Sequence, residues 1–304
     1  MRNFNEDLEK VLRNQDIKDR YWFANKVLYK LCSDHPDVDG DGNRINPDEF
    51  VAKLWLIGRS YAAAIERRDY VNIKKLDYND DFTCYAYDFY YDSVYNEFEK
   101  SNEYFDLFKK LKNVEEVNDV TIKTIIKTHK VLMDIFTKIC GKEKRSLASK
   151  YLHFHFPNLF YIYDSRANDE IDNYVAAGKK NNKNESYDEQ YLNFYMKCYS
   201  LKKEYNNYSD NNREGIEKYF TRLLDTVLLV SAAKTAEENR KTLLDRIKNG
   251  EFDNKEKDKI NNSIEVYKSC ALREELINYL NKNNNYNKEI KEKIEKRWQL
   301  FNDI

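Results

Sequence analysis

Residues Ser146–Ala167, Ser-Leu-Ala-Ser-Lys-Tyr-Leu-His-Phe-His-Phe-Pro-Asn-Leu-Phe-Tyr-Ile-Tyr-Asp-Ser-Arg-Ala, carry the densest information in this chain. Ser146 can cap a helix whose apolar positions Leu147, Tyr151 and Phe154 recur on one face, with Lys150 at the border of that stripe. Pro157 disfavours helical geometry at Phe156, so the helix closes within about three turns of its cap. The run Leu159–Tyr163 is too apolar for a solvated loop. Asp164 can then cap a second helix, with Ile171, Tyr174 and Val175 at helical spacing. A lysine on the edge of a buried helix and a carboxylate at a helix N-terminus are thereby joined by a short apolar link.

Outward from this stretch the chain reads as helical. Tyrosine (25) and phenylalanine (16) supply much of the apolar content, while 7 Gly and 3 Pro leave few breaks in 304 residues. Lys plus Arg (52) and Asp plus Glu (53) nearly cancel, so contact with nucleic acid has to come from a local basic patch rather than from the global field. Cys32, Cys84, Cys140, Cys198 and Cys270 are odd in number, far apart and without a CxxC, which argues against a disulfide framework and a zinc cluster and favours a reducing cytoplasm. The N-terminus is charged from Arg2 onward, and no stretch approaches the roughly 18 apolar residues of a membrane span. Neither secretion nor membrane insertion is expected.

Two amphipathic helices are expected over 4–32. The following Asp37-Val-Asp-Gly-Asp-Gly opens like an EF-hand calcium loop, with Asp37, Asp39 and Asp41 at the first ligand positions, but Glu49 falls one place late for the bidentate ligand. A simpler reading has Asn46 cap a helix, Pro47 begin it and Glu49 close a capping box. That helix is expected to reach about Arg68, with Phe50, Leu54, Ile57, Tyr61 and Ile65 inward and Arg59 framed by Ala52 and Ala63 on the other face, near Glu66. Residues 77–105 mix aromatics with acids and read as a covering segment, helical from Ser93 to Leu111. A helix over 119–139 carries His129 near its apolar face and stops at Cys140-Gly141. Lys142, Glu143, Lys144 and Arg145 form a short basic turn able to hold a phosphate. A strong helix over 214–233 presents Arg222 and Asp225, and helices with thinner apolar stripes follow near 236–249, 255–281 and 287–303.

Ser149-Lys150, the short helix with Leu152 and Phe154, Pro157 and Ile162-Tyr163-Asp164-Ser165-Arg166-Ala167 resemble the catalytic segment of helix-hairpin-helix DNA glycosylases, especially the bacterial branch with the 8-oxoguanine-glycosylase fold. Arg222-Leu-Leu-Asp225-Thr-Val-Leu-Leu229 is similar to the helix that ends that domain. The resemblance implies an all-α fold, with a multi-helix glycosylase-like domain over 1–233 and a C-terminal helical appendage over 234–304. It implies DNA as partner, Lys150 as the nucleophile on the sugar, Asp164 as the supporting carboxylate, and Arg59, Lys142, Lys144, Arg145 and Arg166 as candidate DNA contacts, without a metal or other cofactor.

Two other readings stay open on the residues alone. Lys150 can be a flanking lysine and Asp164 only a cap, in a non-catalytic helical module that binds nucleic acid or protein. His153 and His155 could serve a metal-dependent nuclease, although side chains two apart on a helix face different ways.

Overall fold

The computed structural model describes residues 2–65, 89–114, 117–176, 186–204 and 218–248. Their regular elements are helices: α1 (Phe4–Arg13), α2 (Gln15–Asp34), α3 (Pro47–Ser60), a π-helical stretch (Phe89–Tyr95) continuing into α4 (Asn96–Glu99), α5 (Asn102–Lys112), α6 (Asp119–Cys140), α7 (Arg145–His155), α8 (Ser165–Ile171), α9 (Glu189–Glu204) and α10 (Phe220–Lys248). The fold is all-α. The chain divides into two compact units, Met1–Ala232 and Ala233–Ile304. Glu66, the aromatic and acidic run up to Asp88, and the helices expected near 255–281 and 287–303 lie outside the described residues.

Several caps follow from the sequence as read. Asn46 accepts from Glu49 N with Pro47 opening α3, and Gly141 ends α6 with a left-handed φ of 68°. Glu49 does not close a capping box, because its carboxylate pairs with His35 Nδ1 at 2.7 Å. The helix expected from Ser93 to Leu111 is broken, since Ser101 caps α5 by accepting from Tyr104 N. The separate helices expected on either side of residue 234 are one, α10, because no glycine or proline interrupts Phe220–Lys248.

Helix α3 stops at Ser60 rather than near Arg68. Ala62 adopts φ 50°, and Ala63 N turns back to Gly58 O at 2.8 Å. A Cβ on Gly58 would stand 2.9 Å from Ala64 Cα, so the tight turn requires glycine there. Local propensity in Ala62-Ala-Ala64 favours helix, and packing overrides it.

Helix α7 is the centre of the first unit, packed by α2, α3 and α6. The sequence suggests a single apolar stripe, yet every residue from Leu147 to Phe154 is buried, as expected of a helix enclosed on all sides. Its polar members find partners inside. Ser149 Oγ donates to Ser146 O and accepts from Tyr163 N, while His153 engages Tyr29 Oη and Phe160 O.

The EF-hand-like loop serves the same core. Asp37 is fully buried, and its carboxylate accepts from Lys53 Nζ (2.5 Å), Tyr104 Oη (2.7 Å) and Tyr151 Oη (2.8 Å), with His155 Nε2 at 3.3 Å. Asp39 turns to Asn43, and an antiparallel bridge between Val38 and Arg44 closes the loop. The first expected calcium ligand is thus consumed by the fold, and α3 begins at the capped Asn46-Pro47 of the simpler reading.

Candidate functional site

Lys150 sits mid-way along α7, its side chain only 3% exposed. Its amine donates to Ser146 Oγ one turn earlier and to Tyr163 O at 3.1 Å. Ser146 was expected as the helix cap. Helix α7 begins two residues earlier, at Arg145 behind Lys144, which leaves the Ser146 hydroxyl to receive the lysine. The Tyr163 carbonyl is aimed there because the apolar link Leu159–Tyr163 runs buried alongside α7, held by the bond between Tyr163 N and Ser149.

Asp164 follows directly and caps α8 by accepting from Arg166 N at 3.0 Å. Its other oxygen lies 4.0 Å from Lys150 Nζ, and at 24% exposure the carboxylate is the more open member of the pair. Arg166, 73% exposed, leans on Asp164 at 3.2 Å. The turn forced by Pro157 and the buried link therefore bring the amine and the acid together, although fourteen positions separate them. Their spacing is that of a loose ion pair, beyond hydrogen-bond length.

Behind this pair lies a second one. Arg222 and Asp225, one turn apart on α10, form a buried ion pair. Asp225 Oδ1 is sealed from solvent and accepts no hydrogen bond among the described residues. The Tyr61 ring joins the two pairs, with Lys150 Nζ 5.7 Å and the Arg222 guanidinium 5.8 Å from its centroid. Tyr61 Oη donates to the buried Asn25 on α2. Burial lowers the pKa of Lys150, and the negative charges of Asp164 and Asp225 offset part of that fall. Burial raises the pKa of Asp225 against the pull of Arg222 and Lys150. A lysine biased toward its neutral form beside a carboxylate can act as a nucleophile or accept a proton.

The remaining candidates are distributed. Arg145 forms a two-armed pair with Asp188, touches Glu143 at 2.8 Å and faces the Tyr163 ring, so its charge is matched by acids. Lys144 donates to Ala64 O at 3.2 Å, linking the basic turn to the turn after α3, while Lys142 is exposed. Arg59 lies exposed on α3 over the Trp55 ring. His153 and His155 point to different partners, as their spacing on a helix requires, and no group of three or more His, Cys, Asp or Glu suited to a metal ion occurs among the described residues. No helix among them is long and apolar enough to cross a membrane.

Tyr61 and Asn25 carry no signal as site residues in the sequence: a tyrosine on an apolar stripe and an asparagine within a helix look like packing. Arg222 and Asp225 stand out as charges in the strongly apolar helix Phe220–Val230, which is the one local sign of a buried pair. Neither the family models nor the curated proteins nor the solved structures compared with this chain give a match.

Proposed function

We propose that this chain is a DNA glycosylase-like protein of the cytoplasm that acts on a flipped, damaged or modified base through Lys150 and Asp164. The observation that carries the reading is the placement of the Lys150 amine 4.0 Å from the Asp164 carboxylate, where burial lowers the pKa of the amine from its ordinary value. In this mechanism the nitrogen lone pair of Lys150 attacks C1′ of the flipped nucleotide. The bond from C1′ to the base breaks, and the base leaves with the bonding pair and takes up the proton released by the attacking nitrogen. Asp164 stabilises the positive charge that the sugar carries as the base departs. Extrusion of the base would be supported by basic residues, with Arg166 beside Asp164, Lys142 and Lys144 on the basic turn and Arg59 on α3.

Borohydride trapping on a duplex containing an abasic site tests the amine. The aldehyde carbon condenses with Lys150, water leaves, and hydride reduces the imine to a stable secondary amine. The wild type is expected to give a covalent adduct and Lys150→Gln none. On a panel of duplexes with single modified bases, Asp164→Asn is expected to slow base release by about 10²-fold or more while DNA binding persists. Absence of any wild-type adduct ends the enzymatic reading.

One observation favours a second reading. The amine is 3% exposed and already holds two internal hydrogen bonds, as a structural lysine would. A non-catalytic DNA-binding module would show salt-sensitive binding without base release, and a protein-binding module would not bind DNA.

A further inference from the structure

We propose that Tyr61 is a positioning residue for Lys150, its ring holding the amine between Asp164 and the Arg222–Asp225 pair. Lys150 approaches the ring at 5.7 Å and Arg222 at 5.8 Å, both within the range at which a cation is attracted by an aromatic face. The ring is itself fixed from several sides. Its hydroxyl is tied to Asn25, its face meets Phe154 at 5.6 Å between centroids, and its backbone N–H donates to Ile57 O at the end of α3. Directly after it the chain enters the left-handed residue Ala62 and the close approach of Gly58 to Ala64. An alanine at φ 50° is held only where surrounding structure over-determines it. The consequence of that turn is to deliver the Tyr61 side chain to the lysine.

The groups facing Lys150 come from every element around it: Ser146 on α7, the Tyr163 carbonyl and Asp164 on the link, Arg166 on α8, Tyr61 after α3, and Arg222 and Asp225 on α10. Ser146 Oγ and the Tyr163 carbonyl accept hydrogen bonds from the amine, whereas the tyrosine attracts the ammonium through its uncharged ring. Removing its ring while leaving the charges in place lowers the preference for the protonated amine. This effect concerns the same amine as the proposed chemistry but does not require DNA.

Labelling of Lys150 by a small acylating reagent, followed by mass spectrometry across a pH series, reads the midpoint of its titration directly. Tyr61→Leu is expected to move that midpoint down by about half a pH unit, whereas Tyr61→Phe, which keeps the ring, leaves it in place. An unchanged or raised midpoint in Tyr61→Leu overturns the proposal. A readout on the wild type guards against a variant that does not fold: in protein labelled at lysine ε-carbons, the Lys150 ε-protons are expected upfield of the other lysines because they lie over the ring. A Lys150 resonance at the position of exposed lysines would likewise refute it. Failure of abasic-site trapping with the labelling result intact would count against the glycosylase reading alone.

Discussion

Two lysines are buried among the described residues, and they are held in opposite ways. Lys53 meets Asp37 at 2.5 Å inside a shell completed by His35 O, Tyr104, Tyr151 and His155. Lys150 meets its carboxylate at 4.0 Å, and the neighbouring Asp225 keeps an oxygen with no hydrogen bond among the described residues. Burial alone would raise the pKa of Asp37, but Lys53 and His155 outweigh it and hold the carboxyl far below the usual carboxylate range. At Lys150, burial prevails over Asp164 and Asp225 and lowers the pKa. A saturated buried pair belongs to the scaffold, since breaking it leaves a charge uncompensated. A loosely paired one retains capacity to bond to something else, which is what a reacting group needs.

The largest expected effect breaks the saturated network. Asp37→Ala leaves the Lys53 ammonium buried without its anion and should cost about 3–5 kcal/mol, measured by urea unfolding followed at tryptophan. Next comes acid. Burial depresses His129 to about 4 and His153 to about 3, from an ordinary 6.5. The unfolded chain therefore takes up protons that the folded chain refuses, and stability is lost as pH falls from 6.5 toward those values, by up to about 3 kcal/mol for His129 and about 5 kcal/mol for His153. Asp37 adds a further loss below its ordinary 3.8, since its folded value is depressed. Unfolding midpoints collected between pH 7 and pH 4 check the histidine part, and a flat profile would contradict it.

Smaller effects sharpen the contrast. Gly58→Ala forces a methyl against Ala64 Cα and should cost about 1–3 kcal/mol while displacing Tyr61, visible as a downward shift of the Lys150 labelling midpoint in the same direction as Tyr61→Leu. Smallest is Lys150→Met. Because Asp164 is partly solvated and the Arg222–Asp225 pair remains, stability should change by no more than about 1 kcal/mol while any chemistry at the amine vanishes. A loss as large as that of Asp37→Ala would place both lysines in the scaffold.

Much of the helical framework was legible from residues. The caps at Asn46 and Asp164, the stops at Phe156 and Gly141, and the inward Ile122, Ile125, Ile126, Leu132 and Phe136 all follow from short-range rules that act within a turn or two. The break at Ser60 was not, because Ala62–Ala64 favour helix and only contact between Gly58 and Ala64 reverses that choice. The candidate site divides in the same way. Lys150 and Asp164 could be paired from Pro157 and the apolar link, because the intervening chain is short. The partnership of Tyr61 and Asn25 with them spans about ninety residues or more and leaves no local trace.

The sequence alone determined that this protein is built of helices, where several of them are capped or stopped, and that an amine and an acid flank one short apolar link. Which of the two lysines is locked and which is loosely held was decided by tertiary structure. Hydrogen-bond saturation depends on groups from distant helices arriving within about 3 Å of one atom, a condition that no local pattern of residues encodes.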